Sequence, residues 1–235
     1  KNINDVGSIK RARRKMMPDN TRRAELVSKI ITKRSRILEI GSGHGFFLDI
    51  MKKNGYDITG FEISKEKRKY SKKVTKVPVL DININEKIPT VKPFDIVVLF
   101  HTLEHIIDPV ILLKNIKKLL KPKGKVLVEV PNCDDFHLGL NKFYKEFYWE
   151  RAHIHYFNSK SLKTVINLGG FKGIKITGVQ RYSIENFFHW RLKNKPQMEN
   201  PTYSLSGELN WLDESYKKYL ERNLICDTLI SIANI

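Results

Sequence analysis

At 235 residues, with 41% hydrophobic and 29% charged side chains, the chain can bury a core of its own and fits one α/β domain with insertions. No apolar run approaches the roughly 18 residues that span a bilayer, and residues 1–15 are basic and polar without the apolar stretch of a secretory signal. Cys133 and Cys226 form no CxxC pair, which argues against a disulfide framework and a cysteine-rich zinc site; a reducing cytoplasm is expected.

The charge of +18 is unevenly placed. Residues 1–36 hold 12 Lys and Arg against 3 Asp and Glu, and 7 of the chain's 12 arginines fall there: Arg11, Arg13, Arg14, Arg22, Arg23, Arg34 and Arg36. We read 1–35 as a basic, partly helical arm, either solvated or aimed at RNA, an anionic lipid surface or a negatively charged small substrate such as a nucleotide-sugar.

From Arg36 onward, strand and helix patterns alternate, as in a doubly wound, mostly parallel sheet covered on both faces. Arg36–Ile40 reads as a first strand, Phe46–Lys53 as a helix and Asp57–Phe61 as a second strand. Ser64 caps a Lys-rich helix, Val77–Leu80 is a short third strand, and the wholly apolar end of Asp95–Phe100 marks a buried central fourth. Asp108 and Pro109 supply the cap and first-turn proline of the helix Val110–Leu120, which Pro122 and Gly124 stop before a fifth strand, Lys125–Val130.

Beyond Pro131 the composition shifts, with 8 of the 24 aromatics between Phe136 and Phe157, which suggests a cap insertion over about 132–157. Phe143/Phe147 and Tyr144/Tyr148 recur at i,i+4 and form stripes on a short helix. We expect the Phe143/Phe147 stripe to be cap core. Asn158 or Ser159 then caps a helix to Leu168, a strand follows at Phe171–Val179, and the last apolar run is Leu224–Ile232. A polar insertion fills about 181–222.

The chemistry is carried by Glu39-Ile40-Gly41-Ser42-Gly43-His44-Gly45-Phe46, between the first strand and the helix after it. Glycines let the backbone approach a ligand, and the helix N-terminus presents unpaired N–H groups, so a nucleotide cofactor is implied. The dinucleotide spacing G-x-G-x-x-G fails because position 46 is Phe, and a carboxylate at Glu39 suits an ammonium better than a pyrophosphate.

These residues resemble the first motif of the class I S-adenosylmethionine-dependent methyltransferases, an acidic residue followed by G-x-G-x-G, and the resemblance extends over about residues 36–180. It implies a Rossmann-like, mostly parallel seven-stranded sheet with an antiparallel last strand, and S-adenosylmethionine as cofactor. It also implies cofactor contacts from Glu39, Gly41, Ser42, Gly43 and Gly45, from Glu62 and Ile63 after the second strand (Glu62 on the ribose hydroxyls), from Asp81 near the adenine, and from Phe100 and His101. A catalytic domain would then fill 36–235.

After the fourth strand, His101-x-Leu103-Glu104-His105-x-x-Asp108-Pro109 looks like the H-x-L-E-H-x-x-D-P signature of the family's small-molecule branch of sugar, quinone and antibiotic methyltransferases. No N/D-P-P-Y signature of amino-group methylation occurs, and Asn132 separates Pro131 from Cys133, breaking the pair that cytosine C5 methylation would use. His101, Glu104 and His105 also fit H-x-x-E-H, but a zinc peptidase needs a continuous helix there, and no metal site is expected.

For an in-line transfer to a hydroxyl a histidine is the expected base: His105 first, then His153 and His155 from the cap. The sequence thus points to O-methylation of a small molecule or sugar precursor. Its alternatives are an RNA methyltransferase using the arginine-rich arm and a non-catalytic S-adenosylmethionine-binding protein.

Overall fold

The structure, a computed structural model, describes residues 6–197, 205 and 207–235; residues 1–5 of the basic arm and 198–204 and 206 of the polar insertion lie outside the described residues. In chain order the elements are α1 (Val6–Ile30), β1 (Arg36–Ile40), α2 (Phe46–Lys53), β2 (Asp57–Phe61), α3 (Lys65–Thr75), β3 (Val79–Leu80), β4 (Phe94–Phe100), α4 (Pro109–Leu119) and β5 (Leu120–Pro131). They continue with α5 (Lys142–Tyr148), α6 (Ser159–Leu168), β6 (Lys172–Val179), α7 (Ile184–Lys193), α8 (Asn210–Arg222) and β7 (Thr228–Asn234). The expected caps are made: Ser64 accepts from Lys67 N, Asp108 from Ile111 N, and Asn158 trades bonds with Ser161.

The strands form one seven-stranded sheet in the order β3-β2-β1-β4-β5-β7-β6. β1 to β5 pair in parallel, and β7 runs antiparallel to both β5 and β6. The strand order reverses between β1 and β4, so the connections diverge there and leave a crevice at the carboxyl ends of those two strands.

Alternation along each strand divides the core between two faces. Ile37, Ile96, Val98 and Leu127 pack with Ala24 and Val27 of α1 and Phe47, Leu48 and Met51 of α2. Leu38, Val97, Leu99 and Val126 pack instead with Leu112, Leu113 and Ile116 of α4 and Leu162 and Ile166 of α6. Each such side chain contributes about 1.5–3 kcal/mol by leaving water.

Several boundaries differ from the sequence reading. β3 is two residues long because Pro78 has no N–H to give, and only its carbonyl is used, by Gly60 N. β5 starts at Leu120, which pairs with Phe94 directly out of α4 before the register shifts. β7 starts at Thr228 and not Leu224, because Leu224 takes φ 54° and the Asn132 amide holds the Leu224 and Cys226 carbonyls in a turn. The polar insertion is not irregular throughout: α7 buries Ile184 and Trp190, and α8 buries Leu220. In the cap helix α5 the stripes are the reverse of expectation. Tyr144 and Tyr148 are buried and Phe143 and Phe147 are exposed, because the Tyr144 hydroxyl donates to the buried Asp135 carboxylate at 2.6 Å.

The arm from Val6 is a single helix laid against α2 and the sheet, and three of its arginines, Arg13, Arg22 and Arg23, pair with buried acids. Glu129 shares its face of β5 with Leu127, is fully buried, and receives Arg22 Nη2 at 2.9 and 3.0 Å and Arg23 Nε at 2.9 Å. Arg13 pairs with Asp49 of α2. Burial pushes the Glu129 carboxyl up, but His101, Arg23 and Arg22 together hold it well below the ordinary carboxylate range.

Glu129→Ala should therefore lower unfolding stability by about 3 kcal/mol or more, because it strands the buried Arg23 guanidinium. A carboxyl with a depressed folded pKa stabilises the fold above its unfolded value, about 4.3, and loses that contribution as pH falls toward the folded value. Urea denaturation should thus show the gap between wild type and Glu129→Gln narrowing below about pH 4. Equal midpoints at pH 7 would show that the cluster does not hold α1 to the sheet.

Candidate active site

The glycine loop closes the crevice at the end of β1. Gly41 N and Ser42 N both donate to the Phe61 carbonyl at 2.9 and 3.1 Å, which folds the chain across the end of β2. Gly41 has φ 75°, and a Cβ there would drive into Thr102, so only glycine lets the loop lie this close to the turn after β4. Gly43, at φ 54°, has open space where its side chain would be, and this is the room a ligand needs.

Two carboxylates flank that space. Glu62 accepts from Gly43 N at 2.7 Å and from Ser64 N at 2.8 Å, which fixes it at the end of β2 beside the loop. Glu39 is buried, and its Oε2 has no hydrogen-bond partner; the Ser42 hydroxyl is likewise unpartnered. Burial raises the Glu39 carboxyl well above its ordinary value against the pull of Arg23, and nearby Glu62 raises it further. A buried carboxylate without a partner is costly, and a cationic ligand group would relieve that cost.

Beyond Glu62, a small cavity is lined by Phe61, Glu62, Ile63, Ile82, Thr102 and Ile106, a slot for a flat ring. Ile63 is exposed at its mouth. Asp81 does not line this slot: it is exposed, and Arg68 Nη2 holds its carboxylate at 2.6 Å. Ile82 and Asn83, one and two residues on, line it instead, and Asp81 borders the neighbouring cavity with them. A further cavity lies between the glycine loop and α1, lined by Met16, Asn20, Arg23, Glu39, Ser42 and Phe100, so the arm roofs this side of the crevice.

His101, just past β4, takes φ 47°, and its amide donates to the Glu129 carbonyl at 2.9 Å. Its Nδ1 lies 3.2 Å from Glu104 Oε1 and its Nε2 3.4 Å from Glu129 Oε1. Burial pulls its pKa down, yet the two carboxylates outweigh this and raise it.

His101, Arg181 and Tyr182 border two cavities, one reaching Gly41 and Phe100 and the other, of about 270 Å³, reaching the cap residues Tyr144, Tyr148 and His153. Arg181 is fixed by Asp227, Nε to Oδ1 at 2.8 Å, with the Arg181 backbone N–H on Oδ2 at 2.8 Å.

Of the three candidate bases, only His153 lines the cap cavity. Its Nδ1 is buried and unpartnered, and burial lowers its pKa. His105 is exposed, donates Nδ1–H to the Ala152 carbonyl at 2.8 Å, and has its ring 4.9 Å from that of His153. His155 is turned away from the cavity, with Nε2 3.2 Å from the Ile107 carbonyl. Cys133 is half-buried and free, with burial raising its thiol pKa, and lines neither cavity. The sequence reading missed Arg181, Tyr182 and Asp227. They meet only because β6 and β7 pair, with Val179 opposite Thr228.

A family model described as "Methyltransferase domain" matches residues 9–176. The chain belongs to this methyltransferase family. It is an S-adenosylmethionine-dependent enzyme of class I, and the unpartnered Glu39 and Ser42 oxygens, the open space at Gly43 and the Glu62 carboxylate fit that cofactor. A ubiquinone biosynthesis O-methyltransferase of Coxiella burnetii is 24% identical over 180 residues, covering 68% of this chain and 73% of that protein.

Among solved structures, a SAM-dependent methyltransferase from Archaeoglobus fulgidus is 21% identical with a TM-score of 0.59, covering 86% of each chain. A second, from Thermotoga maritima and described as a possible histamine N-methyltransferase, is 17% identical with a TM-score of 0.64, covering 96% of this chain and 95% of that one. These two share the fold.

If the Glu39 carboxylate receives the cofactor's amino group, binding favours its charged form and releases a proton. Affinity for S-adenosylmethionine should then rise with pH through the raised Glu39 pKa and fall again only as the cofactor's own ammonium deprotonates at about pH 8. Glu39→Gln should bind more weakly and lose the rise on the acid side, and Glu62→Ala should also bind more weakly. Calorimetry from pH 5.5 to 8.5 measures this, and binding of NAD in place of S-adenosylmethionine would refute the assignment.

Proposed function

We propose that this methyltransferase transfers its methyl group to a hydroxyl of a small, ring-shaped acceptor held in the cavity under the cap. The observation that carries the reading is the shared wall of His101, Arg181 and Tyr182, which joins the cap cavity to the cofactor crevice. Tyr144, Phe147, Tyr148 and Tyr182 give the cavity aromatic walls suited to a sugar or quinone-type ring. The H-x-L-E-H-x-x-D-P sequence and the O-methyltransferase named among the relatives support an oxygen acceptor.

S-adenosylmethionine supplies an already activated methyl group, so the chain's own task is alignment, exclusion of water and removal of the acceptor proton. Glu39 and Glu62 anchor the cofactor's two ends, while the aromatic walls align the acceptor ring. The proton leaves on the His153 side of the cavity, where burial lowers the imidazole pKa. The two free cysteines fit a reducing cytoplasm.

The RNA reading draws less on the arm, because Arg13, Arg22 and Arg23 are engaged with Asp49 and Glu129.

His153→Asn should lower turnover by about 10²-fold with little change in cofactor affinity, whereas His155→Asn should leave turnover near wild type. The assay is labelled methyl transfer to pools of phenolic and quinone precursors, sugars and RNA, with filter binding of RNA at two salt concentrations. Label appearing only in RNA, or full turnover in the His153 variant, would overturn the reading.

A further inference from the structure

Glu104, His105 and His153 come together from two segments almost fifty residues apart. One ligating atom from each lies within 4.8 Å of the other two. Backbone bonds fix this meeting: Ile154 N and His155 N both donate to the Glu104 carbonyl, at 2.8 and 3.0 Å, so the cap strand is hooked onto the turn after β4.

The local chemistry of the three groups is unbalanced in a consistent way. Glu104 is fully buried, uses Oε1 on His101, and leaves Oε2 without a partner. The Nδ1 of His153 is also buried and unpartnered, and no hydrogen bond joins it to Glu104. Two of the residues whose ligand atoms gather in this small volume thus each carry a buried atom short of a partner, a carboxylate oxygen and an imidazole nitrogen, and a group that accepts lone pairs would satisfy both. His105 completes the set. Its Nδ1–H is committed to the Ala152 carbonyl, which fixes the tautomer and leaves a lone pair on Nε2. A ring N–H held by a backbone carbonyl is the usual outer support of a metal-binding histidine.

We propose that Glu104, His105 and His153 bind one divalent first-row transition ion in the wall of the cap cavity. Two imidazoles and one carboxylate suit such an ion and leave coordination positions open. The ion would tie the cap to the turn after β4 and stand on the side where the acceptor hydroxyl loses its proton. An adjacent cation makes a hydroxyl more acidic. That role rests on the acceptor reading given above, whereas the ion's binding does not; with the ion bound, His153 would serve as its ligand, and the ion in place of the free imidazole would make the hydroxyl acidic.

The test uses the full chain, stripped with a chelator and titrated at pH 7.5 with cobalt(II) followed by its visible absorption, and with zinc(II) by calorimetry. One ion per chain is expected, with imidazole-type cobalt bands. His153→Ala and His105→Ala should each weaken binding by about tenfold or more, while His155→Ala binds as wild type does. Glu104→Gln should do the same if it folds, and the two histidine variants decide the matter if it does not. Absence of a stoichiometric ion, or binding undiminished in His153→Ala, overturns the proposal. Neither cofactor nor acceptor is present in these titrations, so a failure here is distinct from a failure of the acceptor assignment.

Discussion

The Glu129 carboxylate organises this molecule. It lies on an apolar face of a central strand, where a hydrophobic residue would satisfy the core equally well, and it is tolerated only because Arg22, Arg23 and His101 surround it. Removing Glu129 itself leaves the buried Arg23 guanidinium uncompensated. The cluster therefore fixes three things together: the position of α1 over the cofactor crevice, the left-handed turn at His101, and the charge state of the imidazole at the junction of the two cavities.

From that cluster, order spreads to both substrate sides. Arg23 also stacks on Phe100, with its guanidinium 4.7 Å from the ring centroid, and faces Glu39. His101 passes the constraint to Glu104, and Glu104 holds the cap through its backbone carbonyl. The basic arm is thus an integral wall of the site, and its Arg13, Arg22 and Arg23 are paired within the protein.

What could be read from the sequence was local. The glycine loop, Glu39, Glu62 and the helix caps at Ser64, Asp108 and Asn158 each follow from a few adjacent residues whose backbone demands are strong, and the strand alternation gave the sheet. What could not be read depends on distant pairing. Arg181 and Asp227 look like surface charges until β6 and β7 lie side by side. The two i,i+4 stripes of α5 are equally apolar on paper, and only the buried Asp135, which takes the Tyr144 hydroxyl, decides which one turns inward. His105, His153 and His155 share one residue type and nearly one locality, so only the hook onto Glu104 separates the one that faces the cavity from the two that do not.

The insertion of β7 between β5 and β6 also sets an order of assembly. β1 to β5 pair among themselves without any later strand: β1 with β2 and, across β2 and β3 in the chain, with β4, and β4 with β5. β6 has no place in the sheet until β7 arrives, more than ninety residues after β5 begins, and Asp227 arrives with it to anchor Arg181. Long-range strand pairing of this kind is slow. The strands that carry the cofactor half of the crevice therefore pair without β7, whereas the acceptor half is complete only once β6 and β7 join the sheet.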